Sequence, residues 1–423
     1  MKRSKRRKAA LCGTLALMIA IFSGFMGLDS FSPEERSLKI IDEDSVTTGA
    51  DTALSDGGQL TGKKSGVLDI DAKAAVLIDG NSGRVLYAQN EKKHLPPASV
   101  TKVMTLLLIL EGCESGKISL DDEVVISERA ADMGGSQMYM EMGETHSVEE
   151  LLKGVIMVSA NDGCVALAEH LSGSVENFVK DMNKRAKKMG LTDSNFVNTN
   201  GLPVANHYSC AYDIGKISTE LMKHEEAHKC FTAWQEDIKV GLPGKESKFT
   251  LTNTNKLIRT YNGAIGVKTG YTDDAGYCLS GAAERDGSRF IAVVLGCETS
   301  DIRFAEMRRL LDHGFNNYET VETAKEGEKI KKIDIEKGTR KKIYAVAEES
   351  VKVTVEKGKA DKVIKKAEID KNIKLPIKKG DPVGTLTVYE GDEAKYTYEL
   401  QTDRAVDKAG FITLYIRMMK TLI

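Results

Sequence analysis

The sequence has no excess of positive charge: 60 Lys and Arg stand against 62 Asp and Glu, a formal net charge of −2. Without a basic surplus, nothing supports nucleic-acid binding. The seven cysteines, Cys12, Cys113, Cys164, Cys210, Cys230, Cys278 and Cys297, contain no Cys-x-x-Cys pair. No His/Cys cluster has the spacing of a zinc site. His224 and His228 lie four apart without a third ligand, and His207 stands alone, so a metal role is not expected of them. A chain of 423 residues does not need a disulfide framework. The six cysteines after Cys12 therefore read as free, partly buried thiols, although an oxidising compartment would permit disulfides. No internal repeat is visible.

What is present begins with an export pattern. Residues 1–8 read MKRSKRRK, and residues 9–28 carry no charge at all. A basic flank before an apolar run is a secretory signal or an N-terminal anchor. The run approaches the ~20 residues that span a bilayer, and no clean Ala-x-Ala site follows it. Residues 29–66 are polar, rich in Gly, Ser, Thr and acids, and read as a flexible linker. The chain is expected to divide further into a domain over 67–316, a β-rich domain over 317–402 and an amphipathic helix over 403–423.

Within 67–316, residues 74–78 and 84–88 are short apolar runs around Asp79-Gly80-Asn81-Ser82-Gly83, which is a hairpin signal. Pro96 and Pro97 stop the second strand. Residues 102–113 (KVMTLLLILEGC) are apolar nearly all round and predict a helix buried inside the domain. Ser147 and Glu150 form a capping box ahead of an amphipathic helix that runs to Ser159. Helices over 164–171 and 175–189 follow. Strands are predicted over 264–270, 277–283 and 290–297, and a closing helix over 303–315. Strands at both ends with helices between them describe a mixed α/β domain with a helical insertion. In the tail, residues 351–356, 385–389 and 394–400 alternate with period two, with turns at Lys379-Gly380-Asp381 and Glu390-Gly391-Asp392. This predicts a small Lys-rich domain of antiparallel hairpins. Ile412, Tyr415, Ile416, Met419, Leu422 and Ile423 share one helical face, with Thr413, Arg417 and Lys420 opposite. Such a helix lies in a membrane interface, where it is too interrupted to span, or docks on the β domain.

Three short motifs carry chemistry. Ser99-Val100-Thr101-Lys102 is the only Ser-x-x-Lys in the chain. At a helix start, residues i and i+3 share a face, so hydroxyl and amine point to one place. Serine needs an adjacent base to act as a nucleophile, and lysine serves as one only when burial or a second cation lowers its pKa. Ser159-Ala160-Asn161 places a hydroxyl and an amide two residues apart, with Asn161-Asp162-Gly163 read as a turn; an ordinary helix C-cap is the alternative. Lys268-Thr269-Gly270 ends a predicted strand. There Gly270 permits close approach of another backbone, and Lys268 supplies either the second cation near Lys102 or a carboxylate ligand.

In this order the three motifs are the known set of penicillin-binding proteins and class A β-lactamases. With the flanking words Pro97–Thr105, Asn198-Thr199-Asn200-Gly201-Leu202 and Gly266–Thr272, residues from about 68 to 315 resemble the low-molecular-mass penicillin-binding proteins that act as D-alanyl-D-alanine carboxypeptidases, peptidase family S11. The β tail and amphipathic C-terminus resemble that family's second domain and membrane anchor. The resemblance implies a serine β-lactamase/transpeptidase-like fold, an antiparallel sheet flanked by helices with a helical subdomain, plus a small all-β C-terminal domain. It implies Ser99 as the acylated nucleophile, Lys102 as its base and Ser159 as a proton relay to the leaving amine. It implies Asn161 as a ligand for a substrate amide, and Lys268 and Thr269 as the clamp on the terminal carboxylate. Gly270 precedes Tyr271, whose backbone N–H would form the oxyanion hole with that of Ser99.

The implied substrate is the D-Ala-D-Ala terminus of a peptidoglycan stem peptide, with β-lactams as covalent inhibitors, no cofactor, and a place outside the cytoplasmic membrane. Tyr271 departs from members that carry histidine there, which bears on substrate preference and pH profile. A serine β-lactamase is a rival reading, but no Glu-x-x-Leu-Asn-type loop lies between Asn161 and Lys268. A wall-binding module without turnover is a second, and transpeptidation or endopeptidase action shares every motif.

Overall fold

The computed structural model describes residues 68–390 and 393–422. The export segment, the linker up to residue 66, Cys12 and the turn residues Gly391 and Asp392 lie outside the described residues.

Strands β1 (Ala74–Asp79) and β2 (Val85–Gln89) form the expected hairpin. A short 3-10 turn, Ala98–Thr101, runs directly into α1 (Lys102–Glu114). A helical lobe follows: β3 (Glu123–Val125), α2 (Glu128–Ala131), β4 (Thr145–Ser147), α3 (Val148–Met157), α4 (Asn161–Ser172), α5 (Val175–Lys188), α6 (Ala211–Leu221) and α7 (His228–Thr232). The hairpin of β5 (Gln235–Val240) and β6 (Ser247–Thr252) leads through α8 (Leu257–Thr260) to β7 (Ala264–Thr272), β8 (Gly276–Arg285), β9 (Ser288–Cys297) and α9 (Ser300–Asn317). The sheet order is β2-β1-β9-β8-β7, all antiparallel, with β7 at the edge.

Two cores sandwich this sheet, and the period of two in its strands divides side chains between them. Ala74, Val76 and Ile78 of β1, with Ile291, Val293 and Leu295 of β9, face the helical lobe. Ala75 and Leu77, with Phe290, Ala292 and Val294, face α9. Burial on both faces explains why these strands read as unbroken apolar runs. Helix α9 lays Phe304, Met307, Leu310, Leu311 and Phe315 on one face of the sheet, at the spacing of a single helical stripe. Helix α1 is buried on nearly every side, as its composition predicts. The Ser147/Glu150 capping box is formed.

One expectation fails at the second motif. Helix α3 ends at Met157, and Asn161-Asp162-Gly163 is the first turn of α4 rather than a loop. The link is Val158–Ala160, with Ser159 at φ 64°. Asp162 fits the first turn of a helix because its charge complements the N-terminal dipole.

The C-terminal region holds β10 (Tyr318–Ala324), β11 (Lys329–Asp334), β12 (Lys342–Ala347), β13 (Val351–Glu356), β14 (Val363–Ile369), β15 (Pro382–Glu390) and β16 (Glu393–Thr402). They form an antiparallel β10-β13 pair and a sheet of order β11-β12-β16-β15-β14. Strands β10, β11 and β14 had no clear sequence signal, because Lys and Glu occupy many of their positions and few are inward; the apolar run of β12 was passed over. The expected helix over 403–423 is shorter: α10 spans Phe411–Leu422. Before it, Val406 bridges to Ile377 and is 1 % exposed, so this apolar anchor holds the chain extended along the domain. Arg417 faces the β domain and not the outside, its guanidinium donating to the carbonyls of Gly338 (2.7 Å) and Thr339 (2.8 Å). Phe411, Ile412, Tyr415, Ile416, Met418 and Met419 remain exposed. Among the described residues, no helix is long and apolar enough to cross a membrane.

Candidate active site

Lys102, the first residue of α1, is fully buried. Its Nζ donates to Ser99 Oγ at 3.0 Å, Asn161 Oδ1 at 2.7 Å and the Asn200 carbonyl at 2.8 Å. An ammonium has three protons to give and no acceptor, so the charged form is saturated. Burial lowers the Lys102 pKa to about 8, with nearby Cys164 and Asp162 opposing the shift. Asn161 is buried as well. Its amide spends Oδ1 on Lys102 and donates from Nδ2 to the Gly134 carbonyl at 2.7 Å.

Ser159 is 5 % exposed, and its Oγ has no hydrogen-bond partner among the described residues. A buried, unsatisfied hydroxyl held at a left-handed φ is costly, and the C-cap of α3 is Val158 rather than Ser159.

The third motif arrives on β7. Being the sheet edge, β7 presents its free side to the 3-10 turn. A Cβ on Gly270 would lie 3.0 Å from the backbone nitrogens of both Ser99 and Val100, so only glycine lets the strand pass this close. Thr269 is 6 % exposed, and its Oγ1 lies 2.7 Å from that of Thr254. Lys268 is 1 % exposed, and its Nζ donates only to the Thr269 carbonyl, at 3.2 Å. Its pKa is pushed well down, first by burial, then by the charge of Lys102 and that of Arg303.

Of the two means by which the Lys102 pKa could be lowered, burial and a second cation, burial is the leading one. Lys102 has three acceptors to stabilise its charge and Lys268 has one weak one, so Lys268 gives up its proton first. The Tyr271 side chain is 49 % exposed and its hydroxyl donates to Asp273, so this position offers the site its backbone and not its ring.

The structure thus brings Ser99, Lys102, Asn161, Lys268, Thr269 and Gly270 together, with Ser159 two residues from Asn161. Sequence reasoning missed the groups that brace them. The loop after Phe196 grips the catalytic turn: Thr105 Oγ1 donates to the Thr199 carbonyl at 2.6 Å, and His207 Nε2 meets Thr101 Oγ1 at 2.8 Å. Val197 N–H donates to His207 Nδ1 at 3.0 Å. This makes Nε2 the protonated nitrogen and Thr101 its acceptor, and burial pushes the imidazole down to about 4, so it is neutral. Gly201 packs so tightly on the turn that a Cβ would overlap the Ala98 carbonyl. Arg303 of α9, 7 % exposed, donates to the carbonyls of Gly270 (3.3 Å) and Cys278 (3.4 Å) beneath the clamp. Only the Asn198–Leu202 word gave a hint of this, because backbone acceptors leave no mark on residue type.

Cys164, Cys210, Cys230, Cys278 and Cys297 are buried free thiols, in line with the expectation from sequence. Asp193, Cys210 and Asp213 lie close enough to share an ion. Their polar atoms are already engaged, Asp213 with Ser194 and the Asp193 N–H, and Cys210 as the cap of α6.

The profile of the D-alanyl-D-alanine carboxypeptidase family, Peptidase S11, matches residues 61–299, and that of the penicillin-binding protein 5 C-terminal domain matches 318–408. The chain is 43 % identical over 359 residues to the D-alanyl-D-alanine carboxypeptidase DacF of Bacillus subtilis, covering 85 % of this chain and 92 % of that one. It is 35 % identical to DacA of Haemophilus influenzae, over 81 % of this chain and 86 % of that one. The crystal structure of penicillin binding protein 5 from Haemophilus influenzae superposes with a TM-score of 0.69 at 33 % identity, over 82 % of this chain and all of that one. Catalytic sheet, helical lobe and β-rich tail match together, and the chain belongs to the D-alanyl-D-alanine carboxypeptidase family of penicillin-binding serine peptidases.

Proposed function

We propose that this chain removes the terminal D-alanine from peptidoglycan stem peptides through an acyl-enzyme on Ser99, and that β-lactams acylate the same hydroxyl. The observation that carries the reading is the threefold hydrogen bonding of Lys102. Asn161 Oδ1 and the Asn200 carbonyl can only accept, so they hold two N–H bonds of the amine. When Lys102 loses its third proton, the freed lone pair points at Ser99 Oγ, the one remaining partner, which can donate. With its pKa near 8, that loss costs little at physiological pH.

Ser99 then attacks the carbonyl of the D-Ala-D-Ala bond, and its proton passes to Lys102. Backbone N–H groups of Ser99 and Tyr271 take the oxyanion, each such donor being worth about 2.7–4 kcal/mol of barrier. The proton returns through Ser159, whose hydroxyl is uncommitted, to the leaving nitrogen. D-alanine departs, and water hydrolyses the ester. Lys268 and Thr269 hold the terminal carboxylate, whose charge restores the proton to Lys268. Asn161 binds the amide on the acyl side.

In this reading residues 67–316 do the chemistry, 317–402 form a stand, and 403–423 rest on the outer face of the cytoplasmic membrane after export through 1–28 and a 29–66 linker. The exposed apolar residues of α10 opposite its Arg417 anchor support the last point.

Mass spectrometry of a soluble form with diacetyl-Lys-D-Ala-D-Ala tests the reaction. Release of D-alanine, lost in Ser99→Ala together with penicillin labelling, is the expected result. Labelling that persists in that variant removes Ser99 from its role. For the membrane, sedimentation with phospholipid vesicles is expected for the chain through residue 423 and not for one ending at Ala409.

A further inference from the structure

Asn161 and Asp162 open α4 side by side, and the reaction uses only the first. The Asp162 carboxylate, 1 % exposed, accepts from the backbone N–H of Met138 at 2.9 Å and from that of Gly163 at 2.9 Å. It thereby ties the loop before α3 to the first turn of α4. Tyr139 takes φ 61°, a conformation that a bulky side chain rarely adopts. Its neighbours Met138 and Met140 are buried, while Tyr139 is 68 % exposed. The ring is therefore held out into solvent from a rigid base.

Beside it stands Phe249 of β6, ring centroids 6.2 Å apart and edge to face at 71°. In the same loop buried Glu144 accepts from the N–H of Glu141, and the Leu242 side chain, in the turn between β5 and β6, lies beside Gly143. Met142, 63 % exposed, continues the apolar surface. The near end of this loop touches the catalytic site, where the Ser136 carbonyl accepts from the Asn161 N–H at 2.8 Å.

We propose that Tyr139 and Phe249 form a binding shelf for the acyl-side part of the substrate, the stem peptide and attached sugar beyond the bond that is cut. This rests on the functional reading above. The chemistry decides the side: the leaving group is a single D-alanine that ends at its carboxylate. Whatever of the substrate reaches past the immediate site must do so on the acyl side, where Asn161 binds. An aromatic pair offers apolar faces and edges to the CH groups of a sugar or an aliphatic side chain. Strain is retained at functional positions when the surroundings over-determine it, and the bond from Met138 to Asp162, with Met138 and Met140 both buried, holds Tyr139 from either side.

The test compares kcat/KM for diacetyl-Lys-D-Ala-D-Ala with that for a disaccharide pentapeptide. In Tyr139→Ala and Phe249→Ala the ratio of the second to the first is expected to fall about tenfold, the size of one lost aromatic contact of ~1.4 kcal/mol, with the change in KM. Tyr139→Phe is expected to keep the ratio. Tyr139→Gly, which suits the left-handed backbone and so leaves the loop folded, is expected to lower it as Ala does. A ratio that stays constant in the Ala and Gly variants overturns the shelf while leaving the carboxypeptidase reading intact. D-alanine released by the unaltered enzyme from neither substrate overturns both.

Discussion

Lys102 and Lys268 in the cleft are 0 % and 1 % exposed, and neither forms an ion pair among the described residues. Lys332 and Lys366 in the C-terminal strands lie in water and pair with Asp334 at 3.0 Å and Glu368 at 2.9 Å. The same side chain is driven in opposite directions. Burial lowers the cleft lysines, while the hydrogen bond each outer lysine donates to a carboxylate raises it. The cleft buries its lysines where the charged form is disfavoured. The β-rich region keeps its charges solvated and fills its interior with Ile343, Val353, Leu386 and Leu400. Reactivity in this protein follows from where a lysine is placed, and not from how many there are.

The contrast is broken most severely by exchanging one lysine from each region for methionine. Lys102→Met is expected to slow acylation by fluorescent penicillin by about 10²- to 10⁴-fold, the span of a lost general base, whereas Lys366→Met should leave the rate within about twofold of the parent. Equal effects would mean that burial is not what makes Lys102 special.

A pH profile sharpens the same point. Only the neutral amine accepts the Ser99 proton, so acylation should rise about tenfold per pH unit below the Lys102 pKa and level off above about 8. A rise that continues towards 10 would indicate an unperturbed lysine. The linked stability runs the same way. The unfolded chain keeps this proton to about pH 10.4 and the folded chain releases it near 8, so Lys102 makes folding more favourable as pH climbs between those values.

Lys268 gives a more modest signal. A group held below its usual pKa gains proton affinity when an anion arrives, so penicillin binding in weak buffer should take up protons, and Lys268→Met should abolish the uptake. Release of protons instead would contradict a lowered pKa at Lys268.

The smallest effect is on stability. Lys268→Met removes a buried amine whose one hydrogen bond is the weak one to the Thr269 carbonyl and should stabilise the fold by about 0.5–2 kcal/mol at the expense of activity. Lys332→Met at the surface should stay within about 0.5 kcal/mol. Thermal unfolding of both variants checks the difference.

Much of this was legible beforehand. The β1–β2 hairpin, the buried α1, the capping box of α3 and the strands that became β7, β8 and β9 all announce themselves through period and punctuation. The three motifs name most of the residues that converge. The turn assigned to Asn161–Gly163 was misread because Asn, Asp and Gly serve equally in loops and in a first helical turn, and only the packing of α4 against the cleft chooses between them. The strands β10, β11 and β14 were silent because solvated Lys and Glu dilute a short apolar alternation. Arg303, Thr254 and the His207 brace left no local pattern, since each acts through a backbone carbonyl or a hydroxyl more than ten residues away.

By itself the amino-acid sequence determined most of the elements, the apolar interior and which side chains are candidates for the chemistry, because periodicity and residue chemistry are local properties. The tertiary structure alone decided which acceptors surround Lys102, which lysine yields its proton first, and that Arg417 faces inward on α10. Those outcomes depend on desolvation and on distances between groups far apart in the chain, and no local stretch of sequence encodes either.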